Sequence, residues 1–152
     1  MKLAVSLICL AALFSCSGNK PHHESLRFEL RLAQSNPDST LKEMVFYNSD
    51  KKFFIHDSVF LTNSDIVAAE VIDWETQPKV KVILTEEGKE KFAEFTGNHV
   101  GENAAILVND KLISAPRINA QITEGVLLIV GLFNHEEAQS MARGIQPTNR
   151  DL

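Results

Sequence analysis

What this chain can fold into is constrained most by where its thiols are: both cysteines, Cys9 and Cys16, fall within the first sixteen of its 152 residues. Everything after Cys16 must fold without a disulfide or a thiolate metal site, so buried apolar surface has to hold it together. With residues 1–15 set aside, 137 residues remain. That is enough for one domain with a core and too few for two of ordinary size. The formal net charge of −5 becomes −6 once Lys2 is removed, and no run of Lys or Arg is left to follow a phosphate backbone. Nucleic acid is not an expected partner.

The start of the chain has the form of a secretory signal: Lys2, an apolar stretch from Leu3 to Leu13, then the small residue Ser15 before Cys16. The stretch is too short to span a bilayer and stay there. Leu13-Phe14-Ser15-Cys16 resembles the lipobox of bacterial lipoproteins, in which cleavage leaves the cysteine as the new N-terminus. Its sulfur then takes a diacylglycerol thioether and its amine an acyl chain such as palmitate. Two or more buried chains anchor stably where one is marginal. The plainer alternative is an ordinary secretory peptide with an incidental cysteine. The expected layout is a signal peptide over 1–15, a lipidated Cys16 with a tether to residue 25, a folded domain over 26–147 and a polar tail over 148–152. The tether gives about 30 Å of reach at 3.5 Å per residue. Ser17 is not the aspartate that resembles an inner-membrane retention signal, so the outer membrane is the expected destination in a two-membrane cell. No later apolar run reaches transmembrane length.

Along the folded part, Leu26 to Leu32 alternates apolar and charged residues and predicts a strand with one buried face. Residues 34–48 are polar, carry a Pro37-Asp38 turn signal and predict a loop. A strand is expected over Lys52 to His56, with Val59-Phe60-Leu61 continuing it after a turn at His56-Asp57-Ser58. Thr62 or Asn63 would cap a short helix over Ser64 to Ala69, with Val71-Ile72 returning to strand. Trp74 to Pro78 separates that strand from Lys79 to Leu84, which predicts a hairpin. Thr85 caps a helix that buries Phe92 and Phe95 and ends at Gly97 or Gly101. Ala104 to Val108 and Lys111 to Ser114 flank Asn109-Asp110, a two-residue turn needing positive φ. A last strand covers Val126 to Leu132, and Asn134 with Glu137 caps a closing helix whose apolar stripe is Ala138, Met141, Ala142 and Ile145. This mixed order predicts an α+β fold, an antiparallel or mixed sheet with helices packed on one face.

Residue types with chemical potential are few. His22-His23-Glu24 offers weak metal ligands without a spacing that fixes coordination, so no metal site is expected. Consecutive His56-Asp57-Ser58 cannot generally meet as base, orienter and nucleophile. His99 and His135 read as helix-end and first-turn residues. Glu86-Glu87 and Glu136-Glu137 each begin a helix, where the dipole accounts for them. Trp74 reads as well as a partner anchor as a half-buried ring at a sheet end. No phosphate loop, zinc motif, nucleophile elbow or dinucleotide fingerprint occurs. Neither a cofactor nor an enzymatic activity is expected.

From Leu61 onward the chain resembles the head subdomain of the first periplasmic domain of SecD. The residues carrying the resemblance are Leu61-Thr62-Asn63-Ser64-Asp65-Ile66, Leu84-Thr85-Glu86-Glu87-Gly88 with Lys91-Phe92-Ala93, Ser114-Ala115-Pro116-Arg117-Ile118, Ile122, Gly125, Gly131-Leu132-Phe133 and Glu136-Glu137-Ala138. The resemblance implies a ferredoxin-like SecD head and an extracytoplasmic domain touching unfolded or partly folded polypeptide in export or envelope quality control. It brings no catalytic residues. Counterparts of the family's transmembrane helices and base subdomain are not expected in this chain, and the family's usual Asp-Gly turn stands as Asn109-Asp110. The alternative is a partner-specific interaction or immunity-type lipoprotein on the same fold. For polypeptide, an exposed sheet edge is the expected surface. Val126 to Leu132, apolar on nearly every residue, is expected to be central and covered on both faces. The hairpin edge ending in a proline is therefore the expected site, with Lys111, Ile113, Ser114 and Arg117 as its residues.

Overall fold

Residues 24–74 and 77–147 are described by a computed structural model. The alternation at the start produces β1 (Phe28–Gln34), whose Phe28, Leu30 and Leu32 are buried on one face. It pairs antiparallel with β3 (Lys52–Thr62) on one side and β6 (Asn103–Val108) on the other. β2 (Lys42–Val45) flanks β3, and β7 (Lys111–Ser114) flanks β6, which makes a five-stranded sheet in the order β2-β3-β1-β6-β7. The loop expected over 34–48 thus contains a short strand. Asn109 and Asp110 have φ of 46° and 62°, the paired left-handed turn that their identities predict.

This sheet has two cores. Phe28, Leu30, Ala104, Ile106, Val108 and Ile113 face the main one, while Ala33, Phe53, Ile55, Ala105, Leu107 and Leu112 form a second on the opposite face. The second core closes because the sheet curls until its ends meet: after β2, Phe46 bridges Leu112 of β7, and the Tyr47 N–H donates to the Leu112 carbonyl at 2.8 Å. Curling needs irregular pairing, and β1 and β3 slip register around Arg31. The Arg31 guanidinium donates to the His56 and Asp57 carbonyls at 3.4 and 3.0 Å and pairs with Glu29 at 2.9 Å. His56, Asp57 and Ser58 therefore lie inside one continuous strand, not at a turn. The bulge accepts residues that sequence alone assigned to a reversal.

Across the main core lies a second antiparallel sheet, β4-β5-β8, built from β4 (Ile66–Trp74), β5 (Gln77–Leu84) and β8 (Val126–Ile129). The helix expected over 64–69 is not formed. Asp65 Oδ2 does accept the Thr62 N–H at 2.8 Å, but the turn it closes spans only Asn63–Asp65. From Ile66 the β-branched residues instead join the β5 ladder, where their shape packs better than in a helix. Thr85 caps α1 (Glu86–Asn98), accepting the Gly88 N–H at 3.0 Å, and Phe92 and Phe95 are buried as expected. The helix stops at His99, between the two glycines considered. Asn134 and Glu137 form the reciprocal cap of α2 (His135–Ile145), whose Ala138, Met141, Ala142 and Ile145 are all buried. The α+β class is as expected, with the strands divided between two sheets.

Asn63 closes the fold near residue 26. Its amide donates to the Leu26 and Ile145 carbonyls, each at 2.9 Å, and its oxygen accepts the Phe28 N–H at 2.8 Å.

Candidate functional site

The strand expected to be central is an outer one: among the described residues β8 has β5 as its single strand neighbour. Its phase follows from one bond, Leu84 N–H to the Gly125 carbonyl at 3.0 Å, with register pairs Val82↔Leu127 and Val80↔Ile129 continuing from it. Main-chain groups alternate direction in an antiparallel pair. Gly125, Leu127 and Ile129 therefore turn their peptide groups toward β5, while Val126 and Leu128 turn theirs outward. Side chains alternate as well: Leu127 and Ile129 are buried, and Leu128, Val130 and Leu132 are 41%, 43% and 47% exposed. Sequence reasoning missed this because an apolar run of Val and Leu has the same composition in a covered strand as along an apolar edge.

Two hollows flank this edge. One, about 390 Å³, lies between Leu128, the 116–122 loop and Phe92 of α1, with Arg117 at its margin. Its roof is pinned to α1, because Thr96 Oγ1 accepts the Ile122 N–H at 2.9 Å and Gln121 donates to the Ala93 carbonyl at 3.1 Å. The other, about 310 Å³, lies between Val130, Leu132, Phe46 and Ala115.

Beyond Ile129 the chain leaves β5 and is held by side chains. Ser114 Oγ donates to the Val130 carbonyl at 2.6 Å and Asn48 Nδ2 to the Leu132 carbonyl at 2.8 Å. Gly131 passes so close to β7 that a Cβ there would stand 2.6 Å from the Ile113 carbonyl oxygen. Next in the chain, α2 is tied to the same turn as Asn48: Tyr47 Oη donates to Glu137 Oε1 at 2.7 Å. The Asn134 N–H and then the Tyr47 hydroxyl hold the Glu137 carboxyl below the usual carboxylate range. That carboxylate in turn pushes the Tyr47 phenol up. Lys111 Nζ sits 5.7 Å from the centre of the Tyr47 ring.

The four hairpin residues proposed from sequence divide into two pairs. Lys111 and Arg117 are exposed, whereas Ile113 is 4% and Ser114 2% exposed. The latter two can act on a partner only through what they hold in place, and Ser114 holds Val130. The open hairpin edge is not there either, since Phe46 and Tyr47 cover β7. Proline at the strand end marked the hairpin correctly, but the capping turn comes from more than 60 positions earlier in the chain. Cys16, His22 and His23 lie outside the described residues, as does the side chain of Trp74. His99 is half-buried against Phe60 and Phe95, with Nδ1 3.4 Å from Glu102, and His135 Nδ1 is 3.3 Å from Asp73. Glu86 and Glu87 lie in the first turn of α1, with Lys91 2.8 Å from Glu87.

The profile of the family described as SecDF, P1 head subdomain, matches residues 39–147. SecD of Dictyoglomus turgidum is 42% identical over 83 residues, covering 54% of this chain and 21% of that protein. SecD of Magnetococcus marinus is 31% identical over 125 residues, covering 82% of this chain and 22% of the relative. A solved structure of SecDF, described as a membrane component that enhances protein export, superposes with a TM-score of 0.65 at 22% identity over 82% of this chain and 63% of that one. The chain spans about a fifth of the length of these curated relatives.

Proposed function

The chain belongs to the SecDF P1 head family, and from that premise we propose that it is a lipid-anchored, non-catalytic binding domain facing the periplasm, whose β8 edge takes extended polypeptide. The observation that carries this reading is the outward row of peptide groups at Val126 and Leu128, bordered by the exposed side chains of Leu128, Val130 and Leu132. Main-chain pairing tolerates many sequences, and alternate apolar side chains add affinity for unfolded segments that still display their cores. Arg117 stands at the margin of the neighbouring hollow for acidic groups or a carbonyl of the same segment. The relatives, named as subunits of a protein translocase, fit a domain that handles chains in transit. Among the described residues no helix is long and apolar enough to cross a membrane, and anchoring is assigned to lipid on Cys16, with the outer membrane as destination.

The test is photocrosslinking in intact cells from a probe at position 128. Many unfolded clients support the reading, and a single stoichiometric folded partner replaces it with the interaction-module alternative. Leu128→Lys and Arg117→Glu should weaken client capture in a correctly folded protein. Cys16→Ala should leave an unprocessed precursor; a processed form still fractionating with membranes removes the lipid anchor from the proposal.

A further inference from the structure

The run from Val126 to Leu132 has strand composition throughout, yet β8 ends at Ile129. Its shortness has a visible cause. Were the phase of β8 continued past Ile129, the carbonyls of Val130 and Leu132 would join the outward row of Val126 and Leu128; here the chain has left β5 and bends at Leu132. Those two carbonyls are the ones taken by Ser114 Oγ and Asn48 Nδ2. Asn48 can reach because its backbone is left-handed, φ 57°, in a turn closed by Ser49 N–H to the Phe46 carbonyl at 3.0 Å. Tyr47 fixes the same turn to α2 through Glu137, and Phe46 fixes it to β7. Three consecutive residues thus fasten one short stretch to β7, to α2 and to the segment after β8.

We propose that residues 130–132 are a reserve extension of the β8 edge, kept out of service by the Asn48 and Ser114 bonds, and that an extended polypeptide on β8 displaces those bonds and draws the extension into pairing. The proposal rests on β8 being the polypeptide edge. Each side-chain bond to a carbonyl gives way to a main-chain bond to the same oxygen, and the cost is a buried Ser114 hydroxyl left without its partner. What the longer site gains is contact with Val130 and Leu132, whose side chains are already exposed. A short segment would use Val126 and Leu128 alone. A longer one would recruit the rest, so the site favours chains with long unfolded stretches over frayed ends of folded proteins.

The probe is a soluble peptide of about eight residues alternating valine and threonine, flanked by lysines, long enough to cover Val126 to Leu132 at strand spacing. Per-residue amide exchange is followed by NMR on the full-length protein with and without it. The expected result is protection of the Val126, Leu128, Val130 and Leu132 amides together, with a changed Asn48 side-chain amide resonance. Protection confined to Val126 and Leu128 overturns the extension and leaves the edge reading intact. Wild-type protein that does not bind the peptide fails both, and the failure is then assigned to the edge reading. A second measurement guards against misfolding: Asn48→Gly retains the positive φ but removes the amide, and it should bind the peptide about fivefold more tightly, as expected from releasing one such bond. Unchanged or weaker binding by this variant, with the fold intact, also overturns the proposal.

Discussion

The two sheets treat their edges in opposite ways. The five-stranded sheet curls until β2 and β7 are bridged through Phe46 and encloses a small core of its own. The three-stranded sheet leaves β8 with outward peptide groups at Val126 and Leu128, and β8 with the segment after it shows three exposed apolar side chains. An edge of that kind invites association, and natural proteins usually blunt it with charge, proline or a covering element. One sheet of this domain has been given such a cover and the other has not. The difference marks the closed sheet as scaffold and the open one as the place where a partner can add a strand.

That contrast can be broken by stability measurements. Phe53→Ala empties the centre of the enclosed core and should cost about 3 to 5 kcal/mol in chemical denaturation. Leu128→Lys, on the open edge, should change stability by less than about 0.5 kcal/mol while reducing client capture. Equal losses from the two would mean that the edge is part of the packed structure. Gly131→Ala puts a methyl against the Ile113 carbonyl and the Phe133 ring, where it should cost about 1 to 3 kcal/mol. A neutral outcome would show that the segment after β8 is not pressed against β7. Tyr47→Phe sharpens the comparison, because it cuts the tie between the cover and α2 without touching a strand. It should lower stability by less than Gly131→Ala does.

The smallest effect is on pH dependence. The folded state holds Glu137 below its unfolded value, so the stability it contributes is present above the ordinary glutamate range and is lost as pH falls through the folded value. Tyr47 is shifted up, so its contribution is complete below the ordinary tyrosine range and is lost as pH rises through the folded value. Tyr47→Phe should remove the Tyr47 part of the alkaline loss, leaving that of Lys91, which Glu87 and Asp65 hold up, and should shrink the acid loss. The residual acid loss comes from the bond between Glu137 and the Asn134 N–H and from Asp38, which Thr40 holds low. Acid and alkaline denaturation midpoints of the two proteins measure both changes.

How much of this was legible in the sequence depended on distance along the chain. The caps at Thr85 and at Asn134 with Glu137, the Asn109-Asp110 turn and the stripe of α2 were legible because each is decided within a few residues. The cover of β7 was not, since Tyr47 meets Glu137 across 90 positions and no local pattern pairs them. Nor was the division into two sheets, because period-two alternation tells which face is buried and not which strand lies alongside. The 66–72 run was misjudged because a capping pattern at Thr62 and Asp65 is local, while the β5 ladder that overrides it is not. At the candidate site, proline and the hairpin were read correctly and the open strand was missed. Ser114 was named for contact with a partner, and its hydroxyl instead restrains Val130.

The Asn63 clasp gives the domain a mechanical polarity. A load applied ahead of Leu26 first meets the Asn63 amide and the bond from the Leu26 N–H to the Gly144 carbonyl, and only then reaches β1. That strand runs between β3 and β6, antiparallel to both, and its ladder bonds lie across the line of pull. The strand can leave only if they shear together. A client strand drawn away from the outer edge of β8 would break its pairs one at a time and yield at lower force. A domain tugged from its N-terminal side while gripping a moving chain would let go of the chain long before it came apart itself.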